Sequence, residues 1–291
     1  MVWAYGLGWI MSNRIDHAQL SLTIVSPTNI GGPEKLTTKD YMYNYDAGEV
    51  YLLNNYEWFR FLARHNKLAE FEIYMQNEMV RPNGRTMYDW AKNTIGASQL
   101  TKDVLGSAIG SIMKSSIYNE GRKNSLNDIT PQIRGANGDV YIPGSSIKGV
   151  IDSAIISHML RKNKTFRVNV QRELKKVLYA YNEFRYKKGY CKKLLRDIFN
   201  SVDKIILEHI HVLTKDDGKP FRGILASAFR GISVSDAMPI EAIKTEVLKK
   251  EDACVDEDGT HEISVHRECI LPNQKFSFTL TLDTAITKEI G

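Results

Sequence analysis

The sequence predicts an α+β protein, and three observations carry that class. Short runs alternate apolar and polar residues, as where Leu20, Leu22 and Ile24 oppose Gln19, Ser21 and Thr23. Longer stretches repeat apolar residues at helical spacing. Between them lies a strand, turn and helix signal at Val140–Ile155, the stretch around which the chain is organised. The 291 residues leave room for about two domains, and 43% hydrophobic with 25% charged residues is an ordinary globular composition. A net charge of +5 permits a nucleic-acid partner without requiring one.

Taken in order, the chain opens on Met1–Ile10, which is apolar but lacks the basic region and cleavage site of a secretory signal. Met11 reads as the natural start, with residues 1–10 an upstream extension, and residues 1–15 are set apart as a leader preceding the first domain. Ala18–Val25 is a half-buried strand, broken by Ser26 and Pro27, and Asn29–Gly32 follows as a glycine loop. Asp40–Leu53 is a hairpin turning at Asp46–Gly48, with Tyr41, Tyr43 and Tyr45 on one face. Such a stripe either stacks on unpaired bases or, more commonly, forms the buried side of a sheet. Asn54 or Asn55 caps a helix carrying Trp58, Phe59 and Leu62, and Lys67–Met79 and Thr86–Ile95 are helical. Ser98–Ser125 is weakly patterned and is expected to be a long mobile segment. Gln132–Val140 makes a hairpin on Asn137 and Gly138.

In the organising stretch, Val140, Tyr141 and Ile142 form a short strand that Pro143 and Gly144 end. Ser145 and Ser146 are N-cap residues for a helix whose apolar face is Ile147, Val150, Ile151, Ala154, Ile155 and Met159. The first amides of a helix have no internal partner and sit at the positive end of its dipole, so this turn is a phosphate site. Gly144 and Gly149 allow close approach, the two serines add hydroxyl donors, and Lys148 adds a full charge. Ile147 stands where a Walker A loop has glycine, and no Ser or Thr follows Lys148, which disfavours a nucleotide triphosphatase.

Beyond this helix the composition turns basic. Lys162, Lys164, Arg167, Arg172, Lys175, Lys176, Arg185, Lys187, Lys188, Lys192 and Lys193 are opposed only by Glu173 and Glu183, while Leu174, Val177, Leu178, Tyr181 and Phe184 give a helical apolar stripe. Lys215–Pro220 is a loop, and Phe221–Leu225 leads to strands at Ile232–Ser235, Lys244–Lys249, Glu262–Ile270 and Phe276–Leu282. Cys191, Cys254 and Cys269 show no zinc spacing and read as reduced thiols, and the scattered histidines, His209 and His211 included, offer no ligand set; no metal or cofactor is expected. No apolar run reaches the ~20 residues that span a bilayer, so no membrane role is expected.

Tyr141–Gly149 closely resembles the glycine-rich signature of the RAMP superfamily, the RNA-binding subunits of type III CRISPR effector complexes. Three further segments, Ser26–Gly32, Ile232–Asp236 and Arg267–Pro272 running into Phe276–Leu282, keep the family's order. As a set they are most similar to the subunit that caps the backbone filament of the type III-A (Csm) complex. The resemblance implies two RRM-like (ferredoxin-like) domains with helical insertions, the second C-terminally incomplete. On it, residues 16–160 are an N-terminal RRM-like domain, 161–231 a basic helical insertion, and 232–291 the second domain.

The function implied is a non-catalytic subunit that binds crRNA near its 3′ end and supports guide maturation in antiviral defence. RNA-binding residues would be Gly144, Ser145, Ser146, Lys148, Gly149, Arg134, Asn29, Gly31 and Gly32. Partners would be crRNA, the neighbouring backbone and small subunits, and guide-trimming nucleases, in the cytoplasm. Family members often carry histidine where this chain has Asn29, and arginine where it has Asp152. Two other readings compete. An endoribonuclease would use Asp128, which lies within Asn127–Arg134, an echo of the sister subunit's cleavage loop, but has no evident partners. A scaffold would instead turn its basic helices to an acidic neighbour.

Overall fold

A computed structural model describes residues 3–11, 14–32, 34–79, 85–96, 100–115, 117, 126–184, 186–210, 227–253 and 260–287. The strands are β1 (Trp3–Met11), β2 (Ile15–Thr23), β3 (Tyr41–Asn44), β4 (Glu49–Leu53), β5 (Ile109–Ser115), β6 (Ile129–Thr130), β7 (Ile232–Val234), β8 (Met238–Pro239), β9 (Thr245–Ala253), β10 (Thr260–Ile270) and β11 (Lys275–Asp283). The helices are α1 (Asn55–Arg64), α2 (Leu68–Asn77), α3 (Met87–Ile95), α4 (Lys102–Leu105), α5 (Gly144–Lys162), α6 (Lys164–Phe184), α7 (Lys188–His209) and α8 (Thr284–Thr287). The α+β class holds. The chain divides into two compact units, and both are discontinuous. One is built mainly from Thr23–Tyr141 and Pro239–Lys275, the other from Trp3–Leu22, Ile142–Met238 and Phe276–Gly291. Contiguous blocks were expected, but strand pairing joins segments far apart in sequence, and local patterning carries no record of that.

The first unit holds a six-stranded sheet in the order β3-β4-β5-β9-β10-β6. Its β3–β4 hairpin turns where expected, with Gly48 at φ +61, and a Cβ there would lie 2.8 Å from Ser115 O. On one side, Met42 and Tyr51 pack with Trp58, Leu62, Phe71, Tyr74, Tyr88 and Trp90 of α1, α2 and α3. Asn54 and Thr86 cap α1 and α3 by accepting the amides of Glu57 and Asp89. Tyr41 and Tyr43 are buried with Val50, Met113, Leu126 and Ile129, and their hydroxyls donate to Leu126 O and Ile117 O. The tyrosine stripe is therefore sheet packing and not a platform for bases.

One expectation fails clearly in this unit. Within Ser98–Ser125, expected to be irregular, residues 98, 99, 116 and 118–125 lie outside the described ones, and the rest holds α4 and then β5, which lies inside the sheet, antiparallel to β4 and parallel to β9. Its sequence, with Gly110, Ser111 and Ser115, has little intrinsic strand preference; neighbours on both edges supply the order instead.

The second unit holds a sheet in the order β1-β2-β11-β7, with β8 also paired to β11. Residues 3–11, read as part of a leader, are its edge strand. The basic segment forms the helices α6 and α7, which bury Phe166, Val170 and Val202 with Met159 and Leu160 of α5. The apolar faces differ from those expected. Val150 and Ala154 of α5 are exposed, as are Leu174, Leu178 and Tyr181 of α6. Two overlapping apolar stripes run along α6, and packing against α7 selected the one through Phe166, Val170 and Ala180. Among the described residues no helix is long and apolar enough to cross a membrane.

Candidate nucleic-acid interface

The glycine turn belongs to the second unit. Ile142 exchanges hydrogen bonds with Ala237 in both directions, at 3.0 and 2.8 Å, and delivers the chain to the start of α5. The N-cap is Pro143, with Gly144 the first helical residue, so Ser145 and Ser146 lie inside the first turn and not at the cap as expected. Proline takes that place well because its φ is fixed, here at −56°. Gly144 is buried against β7: a Cβ would clash with Val234 O and lie 2.8 Å from Ser235 O. This position requires glycine for space.

The Gly144 amide donates to Asp236 Oδ1 at 2.8 Å. A carboxylate of the chain itself thus satisfies the first unpaired donor of the helix and sits at its positive end. Ser146 N and Ile147 N turn back to Pro143 O, at 2.9 and 3.3 Å. Ser145, Ser146 and Gly149 remain exposed, and nothing lies within 4 Å of a Cβ built on Gly149. Lys148 is half-buried, and its Nζ donates to Ile232 O at 2.7 Å, tying the first turn of α5 to the start of β7. One turn further, Asp152 lies on the half-buried side, with Oδ1 lacking a hydrogen bond. Burial raises its pKa above the usual carboxylate value, against the pull of Lys148.

The other residues expected to bind RNA belong to the first unit, where they have internal partners. Asn29 Nδ2 donates to Glu268 O at 2.7 Å and Thr130 O at 3.4 Å. Gly31 bridges to Gln132, and a Cβ there would lie 2.8 Å from Thr130 Cγ2. Gly32 donates to Pro131 O at 3.3 Å and has open space on its α-carbon. Arg134 is ion-paired with Glu268, and its Nη1 donates to Gly138 O at 3.1 Å. Glu268 is only 1% exposed and also accepts from Gln132 N at 2.9 Å and Thr245 Oγ1 at 2.7 Å. The guanidinium expected to meet phosphate therefore neutralises a buried carboxylate.

Beside that cluster, His266 is buried on β10 and its Nδ1 accepts the Asn127 amide at 3.2 Å, so the ring is neutral with its proton on Nε2. Burial first and Lys249 second hold its pKa below the ordinary value. Asp128 is exposed, and among the described residues no three His, Cys, Asp or Glu side chains gather to hold a metal ion.

Sequence reasoning assigned no role to Asp236 or Glu268, although both lie in segments that carried the resemblance. Their signal was positional: an acid directly after a short strand, and an acid inside an otherwise apolar strand end. Those two segments supply the carboxylates that hold the glycine turn of one unit and Arg134 of the other.

The RAMP superfamily model matches residues 21–204, and the chain belongs to that superfamily. Its curated relatives are more specific. The chain is 23% identical over 288 residues to the CRISPR system Cms protein Csm5 of Streptococcus thermophilus, covering 97% of this chain and 69% of that one. It is likewise 23% identical to Csm5 of Mycobacterium tuberculosis, covering 97% and 70%. Among solved structures, the crystal structure of T. onnurineus Csm5 superposes with a TM-score of 0.61 at 17% identity, over 92% of this chain and 69% of that chain. A chain of the Csm–crRNA–target RNA ternary complex of a type III-A CRISPR–Cas system gives 0.58 at 17% identity, over 92% and 64%.

Proposed function

We propose that this chain is a non-catalytic crRNA-binding subunit of a type III-A effector complex, seated on the 3′-end side of the filament and supporting guide maturation in the cytoplasm. The observation that carries the reading is the start of α5, a RAMP glycine turn with Ser145 and Ser146 of the first turn and Gly149 of the second open to solvent near the positive end of a 19-residue helix. Hydroxyls, a close backbone and a helix dipole favour a phosphate without reading a base, as a protein that handles different guides requires. A structural neighbour within a Csm–crRNA–target RNA complex supports a guide and other Csm subunits as partners; the neighbouring backbone and small subunits and the guide-trimming nucleases are part of the same proposal. On the same reading each unit's sheet is an elaborated RRM-like platform.

Lys148 supports the glycine turn and is not its first contact, since its Nζ already has a partner within the same unit, and Arg134 of the other unit is likewise engaged, by Glu268. The same fact favours the scaffold reading, in which the chain docks through protein alone. Cross-linking to labelled guide within the assembled complex separates the two. Adducts at residues 145–149 that vanish in Ser145→Glu/Ser146→Glu support guide binding, whereas a guide that gives no adduct in this stretch removes it. Guide lengths in complexes assembled with and without the chain test the maturation role.

A further inference from the structure

The end of α6 and the start of α7 carry aromatic side chains that the fold does not bury. Phe184, half-buried in the last turn of α6, meets the Tyr190 ring at 4.9 Å and 69° and the Tyr179 ring at 6.3 Å and 83°. These edge contacts fix the inclination of both tyrosines while 62% of Tyr179 and 54% of Tyr190 stay exposed. The packing of the two helices does not need them, since Phe166, Val170, Ala180, Cys191, Ile198 and Val202 fill its buried side.

Lysines surround these rings. Helical spacing sets Lys175 and Lys176 one turn before Tyr179, and Lys187 and Lys193 three residues either side of Tyr190, while Lys188 and Lys192, two residues away, turn to the other face of α7 and add only to the charge of this end. Lys176 is paired with Glu173 at 2.7 Å, and exposed Glu183 lies one turn beyond Tyr179; the other five lysines are exposed. Two braced flat rings among cations on both helices match a polymer that alternates flat bases with anionic linkers. An acidic protein helix would use the charge and leave the ring faces without a partner.

We propose that this end of the α6–α7 pair is a second RNA-contacting surface, which stacks unpaired bases on Tyr179 and Tyr190 while the surrounding lysines hold phosphates. It rests on the reading of the chain as an RNA-binding subunit for the class of ligand, but not on the glycine turn. Bases inside a duplex are already stacked, so the surface selects single strands, with little regard for sequence.

The test uses the full chain, with fluorescence anisotropy of labelled oligouridylate, oligoadenylate and a duplex of equal length over a salt series. Tyr179→Ala/Tyr190→Ala is expected to weaken both single strands by at least about tenfold and leave the duplex nearly unchanged. Tyr179→Phe/Tyr190→Phe keeps the affinity, and Lys187→Ala/Lys193→Ala lowers the salt slope by about 1.4. Should the double alanine variant not fold, the exposed single substitutions Tyr179→Ser and Tyr190→Ser give the same reading. Undiminished single-strand binding in the tyrosine variants, or an equal loss on the duplex, overturns the proposal. So does polyglutamate that displaces the RNA with the same tyrosine dependence, which marks a protein-docking face. Binding lost in Ser145→Glu/Ser146→Glu but kept in the tyrosine variants removes this surface and spares the glycine turn; the reverse spares this surface and removes the turn.

Discussion

Asp236 Oδ1 accepts the Gly144 amide at 2.8 Å, so a carboxylate occupies the end of α5 where the positive pole would meet an RNA phosphate. The contact holds the glycine turn in shape and repels a phosphate at the same time. Asp236→Asn keeps an oxygen acceptor and removes the charge. It is expected to tighten RNA binding up to about fivefold at low salt, with the gain fading as salt rises. Anisotropy at two salt concentrations measures this, and weaker binding in the variant would mean that the phosphate lies elsewhere.

Gly144 makes a separate prediction, because the space its missing side chain leaves is taken by β7 backbone. Gly144→Ala should destabilise the protein by roughly 3 kcal/mol, since carbonyl oxygens of a sheet cannot move aside as a side chain can. Gly149→Ala, facing open space, should be nearly neutral or slightly stabilising. Denaturant midpoints of the two variants compare them directly.

Arg134 and Glu268 form a pair with one buried member. Arg134→Ala leaves a carboxylate 1% exposed without its cation, an expected loss of roughly 3 kcal/mol. Adding Glu268→Gln should restore part of that loss. A double-mutant cycle by urea unfolding checks this, and strictly additive losses would show that the pair is not coupled.

Two histidines make stability depend on pH in one direction. Burial lowers the pKa of His266, with Lys249 adding to it, and burial alone lowers that of His209, which stacks on Phe166 at 4.2 Å. Below the ordinary histidine value of about 6.5 the unfolded chain binds more protons, so stability is full above it and declines as pH falls toward the depressed folded values. His266→Gln should flatten that decline in melting temperature. Asp152 has the opposite sign: its raised pKa makes the ionised form a burden above the folded value, so Asp152→Asn should raise the melting temperature at neutral pH.

Patterning was sufficient for the β3–β4 hairpin, for α1 and α3 and for β11, because each pairs a clear period with a turn or cap residue; α2 and β10 were also expected, on composition and apolar content. It was insufficient for β5, whose glycine and serines give no strand signal. The glycine turn was legible as a turn, a helix start and a place for anions. What Asp236 in this unit, and Arg134 and Glu268 in the other, were bonded to was not, since Asp236 lies 92 positions from Gly144 and Glu268 lies 134 from Arg134.

The sequence by itself determined the α+β class, a helix opening just after the Pro143–Gly144 turn, the basic helices and the resemblance to RAMP proteins, because each rests on neighbours within a few turns of chain. Tertiary structure alone decided that Lys148 anchors β7, that Arg134 neutralises Glu268, and that Ser145, Ser146 and Gly149 stay open. A side chain's charge is written in the sequence. Whether that charge faces solvent or a partner depends on which distant strand folds against it.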